Sequence, residues 1–374
     1  MSQISSPWPI VALHEICRPT QWPTIPQTAF VDKGYPVYGA NGKIGCYTEF
    51  NHEKPTVLIT CRGATCGTIN VSEPKSYVTG NAMALDDLQE SIVSREYLVY
   101  ALRRVGLSRA ISGTAQPQIT RQSLTAISIR VPPLTEQRRI AAILDQAEQL
   151  QAKRRAALAQ IDTLTQAIFI ELFGDPTINP RGWPTLNFAD VCHTRLGKML
   201  DQKQQTGKHQ RPYLRNANVQ WFRFDLSDIF EMDFDDNARQ LFRLRNGDLL
   251  ICEGGEPGRA AIWNGEIAEC YYQKALHCAR PRSELAKPEY LNWLLWFFAQ
   301  RGRLSDHVTS ATIAHLTGEK LAAMSIPVPP LALQVEFVHR LVIVEKIKTA
   351  HLSSLAEINE LFASLQHRAF RGEL

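Results

Sequence analysis

Seven basic side chains, Arg195, Lys198, Lys203, Lys208, Arg211, Arg215 and Arg223, occur with only Asp201 among them, and the same stretch holds Asn216, Asn218 and Gln220 beside Tyr213 and Trp221. Cations seat a phosphate backbone, and the carboxamides of Asn and Gln match the donor and acceptor edge of adenine in a major groove. From this stretch Lys198, Lys203, Lys208, Arg211, Arg215, Asn216 and Asn218 are the candidate contacts to a duplex. Asp225, Asp228, Glu231, Asp233, Asp235 and Asp236 follow directly, so the rival reading is a solvated loop whose charges the acidic run balances. Nearer the N-terminus, Asn41, Lys43 and Arg62 sit on glycine turns, and Thr114, Gln116 and Gln118 lie in a polar loop between a helix and a strand. They are the second group of candidate base and phosphate contacts.

A catalytic reading needs a constellation, and the sequence holds none. Each Gly-Lys pair is followed by Ile, Met or His, so the G-x-x-x-x-G-K-[ST] phosphate loop is missing. Both di-prolines follow Val and precede Leu, unlike the Asn/Asp-Pro-Pro-aromatic loop of an amino-methyltransferase. A metal-dependent nuclease would have to use Glu73 and Lys75 around a proline unfit for a central strand, with no aspartate between Asp32 and Asp86. G-x-S-x-G and H-E-x-x-H do not occur. The eight cysteines include no C-x-x-C pair, and Cys61 with Cys66, the closest two, has no second pair to complete a finger. No catalytic residue, metal site or cofactor is expected in this chain.

The elements that would position the contacts come from length and repetition. With 374 residues, 44% apolar and 21% charged, the chain has room for two or three domains. The N-terminus lacks a secretory signal, and the apolar run near Leu291–Ala299 is too short to cross a bilayer. The expectation is a soluble, cytoplasmic protein. Ser128-Ile129-Arg130-Val131-Pro132-Pro133-Leu134 with Gln137 recurs as Ser325-Ile326-Pro327-Val328-Pro329-Pro330-Leu331 with Gln334. At the same offset Leu144, Ala147, Leu150, Leu158, Ile161, Leu164 and Ile168 match Leu341, Val344, Ile347, Leu355, Ile358, Leu361 and Leu365. Further upstream the match loosens, as insertions would produce: Glu96-Tyr97-Leu98 faces Glu289-Tyr290-Leu291.

Residues 134–173 and 331–370 run free of Pro and Gly with apolar residues three and four apart, which predicts two helices of about 60 Å each. Each could pack on its own domain alone. The length and near-heptad stripe favour packing of the two on each other through the fourteen matched residues. The other parts read as mixed domains. Asn41-Gly42 predicts a hairpin, Val57–Thr60 and Leu249–Cys252 predict strands running into glycine turns, and Glu96–Leu107 and Glu289–Phe298 predict helices. The Trp293, Trp296, Phe297 and Phe298 cluster reads as a core helix rather than a base-stacking platform. The order is residues 1–133, a mixed domain; 134–174, a helix; 175–330, a mixed domain; 331–374, a helix. Charge is concentrated in the mixed domains: 12 basic and 9 acidic residues in 1–133, 19 and 18 in 175–330, and equal numbers in each helical segment.

These residues resemble the specificity subunit of type I restriction-modification enzymes over essentially the whole chain. The marks are the repeated Val-Pro-Pro-Leu-x-x-Gln, Leu172–Pro176 with Asn179–Trp183, Gly247–Arg259, and the terminal Ala369–Leu374. The second copy departs at Ala332-Leu333, where the first has Thr135-Glu136, and the Gly113–Pro117 loop has no close twin near Ser310–His315. The resemblance implies an α+β chain with a pseudo-two-fold internal repeat. Two target recognition domains would read the halves of a split DNA site, with an antiparallel coiled coil as spacer ruler. It also implies two methyltransferase subunits carrying S-adenosylmethionine, and restriction subunits that use ATP and Mg. The rival from another class is a scaffold whose two mixed domains bind proteins.

Overall fold

The computed structural model describes residues 8–40, 42–113, 116–201, 205–304 and 315–374. It divides into two compact units, Met1–Ala157 with His351–Leu374, and Leu158–Ala350. Each unit holds one mixed domain and half of each long helix. The helices span Leu134–Phe173 and Leu331–Ala369, within a residue of the predicted bounds. The first stops where Gly174 turns left-handed at φ +78°, with its N–H donating to the Ile170 carbonyl. A Cβ there would lie 2.7 Å from Pro180 Cγ.

The helices pair antiparallel. In the first unit Arg154 Nη1 meets His351 Nδ1 at 3.1 Å and Arg139 Nη2 donates to the Leu374 carbonyl at 2.6 Å. In the second unit Lys348 pairs with Asp162 at 2.7 Å and Arg340 with Glu171 at 3.3 Å. Arg154 and His351 are counterparts in the repeat, and an antiparallel pair of equivalent helices brings counterparts together only at its two-fold.

The seam advances by alternating steps of three and four: Gln137, Ile140, Leu144, Ala147, Gln151, Arg154, Leu158, Ile161, Thr165, Ile168 and Leu172, each wholly or partly buried. The second helix repeats it from Gln334 and Phe337 to Ala369. Four expected interface residues do not belong to it: Leu150, Leu164, Ile347 and Leu361 are 51%, 45%, 43% and 52% exposed. Leu150, Leu164 and Leu361 end two successive three-residue steps, which leaves each about 120° round the helix from where the run began. Ile347 falls one residue short of the seam position held by Lys348. Gln151, Thr165, Lys348 and Phe362 take the seam instead, so it is more polar than the apolar matches suggest. An 18-residue window of the first helix is apolar enough by composition to cross a bilayer, a longer run than Leu291–Ala299.

The two mixed domains have one topology. In the first unit Ile10–Ala12 pairs with Ser128–Arg130, and an antiparallel sheet runs in the order Arg18–Thr20, Ala82–Asp86, Val57–Thr60, Ile69–Val71. Gly42–Tyr47, Tyr35–Gly39 and Tyr77–Val78 form a second sheet whose last pairing is parallel. In the second unit Thr185–Asn187 pairs with Ser325–Pro327, and the larger sheet runs Cys192–Leu196, Leu276–Pro281, Leu249–Cys252, Ala260–Ile262. Phe230–Asp233, Gln210–Leu214 and Tyr271–Tyr272 form its second sheet, again with a parallel last pairing. The helix Asp236–Phe242 and the hairpin Val219–Gln220 with Arg223–Phe224 are additions in the second copy.

The repeated glutamine explains why that stretch of sequence recurs. Gln137, fully buried, accepts from Ser94 N at 2.8 Å and donates to the carbonyls of Ile92 and Pro132 at 2.8 and 2.7 Å. Gln334 does the same with Lys287 N, Leu285 O and Pro329 O at 2.8, 3.0 and 2.8 Å. Each thereby fastens a long helix to the N-terminus of the shorter helix in its unit, Arg95–Val105 or Pro288–Gln300. Tyr97 and Tyr290 donate their hydroxyls to the carbonyls of Arg130 and Pro327 at 2.7 and 2.8 Å, tying the same helices to the strand before each di-proline.

Candidate nucleic-acid interface

In the first unit the Val57–Thr60 strand turns through Cys61–Gly67 into Ile69–Val71. Gly67, at φ +90°, donates to the Thr60 carbonyl at 2.9 Å and closes the hairpin. Ile119 N donates to Cys61 O at 2.9 Å, and Arg62 bridges Gln118. Gln118 in turn pairs with Ser112. Arg62 and Gln118, predicted from separate stretches, thus come together on one exposed edge, and Gln116, two residues before Gln118, is exposed as well. Lys43 is also exposed, but its ammonium lies 3.0 Å from Glu73, a surface pair that solvent screens. Glu73 also accepts from Tyr38 Oη, and Lys75 faces Glu53 at 3.8 Å, so the nuclease pair is engaged elsewhere. Burial pushes the Cys61 thiol up to about 11, which keeps it protonated and a poor metal ligand. Asn41, Thr114 and Lys203 lie outside the described residues.

The matching turn in the second unit joins Leu249–Cys252 to Ala260–Ile262. Gly258, at φ +87°, donates to Cys252 O at 2.9 Å, and Leu316 N donates to Glu253 O at 2.7 Å, repeating the two bonds of the first unit. Its side chains differ: where the first copy presents Arg62, this turn carries Glu253-Gly254-Gly255-Glu256. Glu256 accepts from Trp221 Nε1 at 2.7 Å and Arg259 Nη1 at 3.0 Å, a cluster that scattered sequence positions did not reveal.

Several predicted contacts build this loop instead of facing solvent. Asn218 is 2% exposed; it accepts from Arg215 N and donates to the carbonyls of Asp225 and Asp228. Asn216 donates to the Gly254 carbonyl at 2.9 Å. Arg215 reaches Asp228 Oδ2 at 2.7 Å and stacks 3.5 Å above the Phe230 ring. Lys198 donates to Asp233 O at 2.6 Å, over Phe234, and Arg211 faces Glu269 at 3.4 Å. The cause is strand pairing: Gln210–Leu214 runs antiparallel to Phe230–Asp233, which lays part of the acidic run beside the basic one. The charge-balancing reading therefore holds for Arg215, whereas Lys198 is held by a backbone carbonyl and a ring face, and Arg211 by a carboxylate outside the acidic run. Lys208 stays exposed, with no ion pair among the described residues.

Asp233, read in the sequence only as one of the acidic run, holds the segment that presents Lys208. It is 5% exposed, and its carboxylate accepts from Thr206 N and Oγ1, Gly207 N at 2.8 Å and His209 N at 3.0 Å. Burial opposes ionisation, but these donors outweigh it and hold the carboxyl below the usual aspartate range. The Trp293, Phe297 and Phe298 side chains are at most 9% exposed, in keeping with a core helix.

His277, 1% exposed behind this turn, approaches Leu316 O at 3.0 Å. Burial pushes its pKa below the ordinary value, against the pull of that carbonyl. The unfolded chain takes up a proton below about pH 6.5 that the folded chain refuses. Stability is therefore full above that pH and is lost as pH falls towards the depressed folded value. The melting temperature should fall between pH 7.5 and 5.5, and His277→Gln should flatten that fall; parallel curves for the two proteins would contradict the assignment.

The sequence profile described as "Type I restriction modification DNA specificity domain" matches residues 5–160 and again 180–360. The chain is 24% identical over 295 residues to the type I restriction enzyme EcoKI specificity subunit of Escherichia coli K12, covering 73% of this chain and 63% of that protein. It is 24% identical over 329 residues to the Haemophilus influenzae protein described as "Putative type I restriction enzyme specificity subunit S.HindORF215P", covering 85% and 81%. The EcoprrI specificity subunit of Escherichia coli matches over 116 residues at 29% identity, only 28% of its length. Among solved structures, the S subunit of a type I restriction-modification system from M. genitalium superposes with TM-score 0.64 at 14% identity, covering 98% of this chain and 96% of that one. A chain from a study of complex assembly and conformational transition in the type I R-M system gives 0.60 at 19% identity, covering 99% of each. With one topology built twice and the profile matching both copies, the chain belongs to the type I restriction-modification DNA specificity domain family.

Proposed function

We propose that this chain is the DNA-reading subunit of a type I restriction-modification enzyme, with each unit docking on one half of a split site and the helix pair setting the spacer. The observation that carries this reading is a repeated frame with different side chains at the equivalent turn, Arg62 in one copy and Gly254-Gly255 in the other. Such a frame suits two different half-sites read in the same way. Its two-fold character also offers similar docking surfaces to two copies of one partner.

In this reading the chain is non-catalytic and works in the cytoplasm. Adenine methylation belongs to two methyltransferase subunits that bind S-adenosylmethionine, and cleavage to restriction subunits that use ATP and Mg. Arg62 and Lys208 contribute phosphate contacts, while Gln116 and Gln118 face base edges. Arg62→Ala combined with Lys208→Ala should weaken binding to every duplex and reduce the slope of log affinity against log salt by about two, one for each lost contact. Unaltered slope and affinity would remove both residues from the interface. A chain with no salt-dependent affinity for duplex would favour the protein-binding scaffold.

A further inference from the structure

The second unit contains a cavity of about 840 Å³ beside the helix Pro288–Gln300. Glu289, Asn292, Trp293 and Trp296 line it, spaced as one stripe of that helix. Phe222 also lines it, its ring tilted against Trp293 with the centroids 4.4 Å apart. Two acceptors in the stripe are unused: Asn292 Oδ1, on a side chain 3% exposed, and the buried Oε2 of Glu289 receive no hydrogen bond from the described residues. Buried acceptors left open cost free energy unless something fills them. Aromatic walls with open acceptors suit a flat cation that donates from its edge and stacks by its face.

The first unit shows what fills the same place in the other copy. There Glu96, Val99, Tyr100 and Arg103 stand where the second copy has Glu289, Asn292, Trp293 and Trp296, and Asp145 and Glu148 stand where it has Val342 and Glu345. All six line a cavity of only 330 Å³. Arg103 donates to Glu148 at 2.8 Å with its guanidinium 5.7 Å from the Tyr100 ring centre, and Tyr100 Oη donates to Asp145 at 2.6 Å. The first copy thus closes its cavity with its own guanidinium. The second copy replaces that arginine by Trp296 and keeps the carboxylate, Glu345, on the cavity wall. The lysines nearby do not substitute: Lys348 is held by Asp162, and Lys346 is exposed on the lining of the long helix.

We propose that the second-unit cavity binds a guanidinium group supplied from outside the unit, which stacks on Trp293 and Trp296 and donates to Asn292 Oδ1 and Glu289. The group could reach the site as a free small molecule or as an arginine side chain of another polypeptide. The test titrates the full chain with ethylguanidinium, Gly-Arg-Gly amide, Gly-Lys-Gly amide and guanosine, read by tryptophan fluorescence and ligand-observed NMR. The arginine peptide should bind about ten-fold or more tightly than the lysine peptide, because only the planar fork satisfies both acceptors. Ethylguanidinium binding as tightly as the arginine peptide identifies a free ligand; a tighter peptide identifies a side chain. Asn292→Leu removes an acceptor that already lacks a partner, so the variant should stay folded and lose about ten-fold in affinity. Trp296→Arg should fill the cavity from within, as Arg103 does, and abolish binding. Failure of every guanidinium probe to bind, equal binding of the lysine peptide, displacement by guanosine, or full affinity in folded Trp296→Arg would overturn the proposal.

Discussion

Gln334→Ala should destabilise the second unit by about 3–5 kcal/mol, since truncation strands one amide and two carbonyls and leaves a cavity as well. The three groups are Lys287 N, Leu285 O and Pro329 O, and the side chain that serves them is fully buried. The loss should appear as a fall in melting temperature of roughly 10 °C for a unit of this size. Gln334→Glu should be no better at neutral pH, because a carboxylate keeps the acceptor but turns an anion towards two carbonyls. Gln137→Ala should act alike on the first unit, through Ser94, Ile92 and Pro132. A melting curve unchanged by Gln334→Ala would mean that these bonds form equally well to water and that the glutamine is not a fastening.

The second large effect concerns the helices. Inserting one heptad after Arg154 and one after His351 should lengthen the spacer between the half-sites by about three base pairs, because seven residues add about 10 Å of helix. Both insertions are needed because the pairing is antiparallel and these two residues are counterparts at its two-fold. A heptad keeps the seam in phase, with Gln151, Arg154 and Leu158 still three or four apart from their neighbours. An unchanged spacer in a folded double insertion would remove the helices from the role of ruler.

Much of the fold was legible in the sequence where local and global signals agreed. Both long helices were legible because forty residues without Pro or Gly leave few alternatives, and the repeat exposed their equivalence. The seam was harder. Apolar matches pointed to Leu150 and Leu164, but the register is set by the strict three-four alternation, which brings Gln151 and Thr165 inward. The interface was legible only in part, for a similar reason. Composition marks Asn218 and Arg215 as readers of a duplex, whereas the pairing of Gln210–Leu214 with Phe230–Asp233 turns them to the loop's own backbone and carboxylates. Such use depends on partners many residues away, and no local pattern announces it. The convergence of Arg62 with Gln118 had the same long-range origin.

The most direct test of the central claim is the methylated-adenine sequence in cells that carry this chain with the methyltransferase proposed as its partner, compared with cells in which residues 175–330 have been exchanged for those of a relative. The account predicts a split sequence for the native chain, and a change confined to one half in the exchanged chain. An unsplit sequence, or a change in both halves, would contradict it.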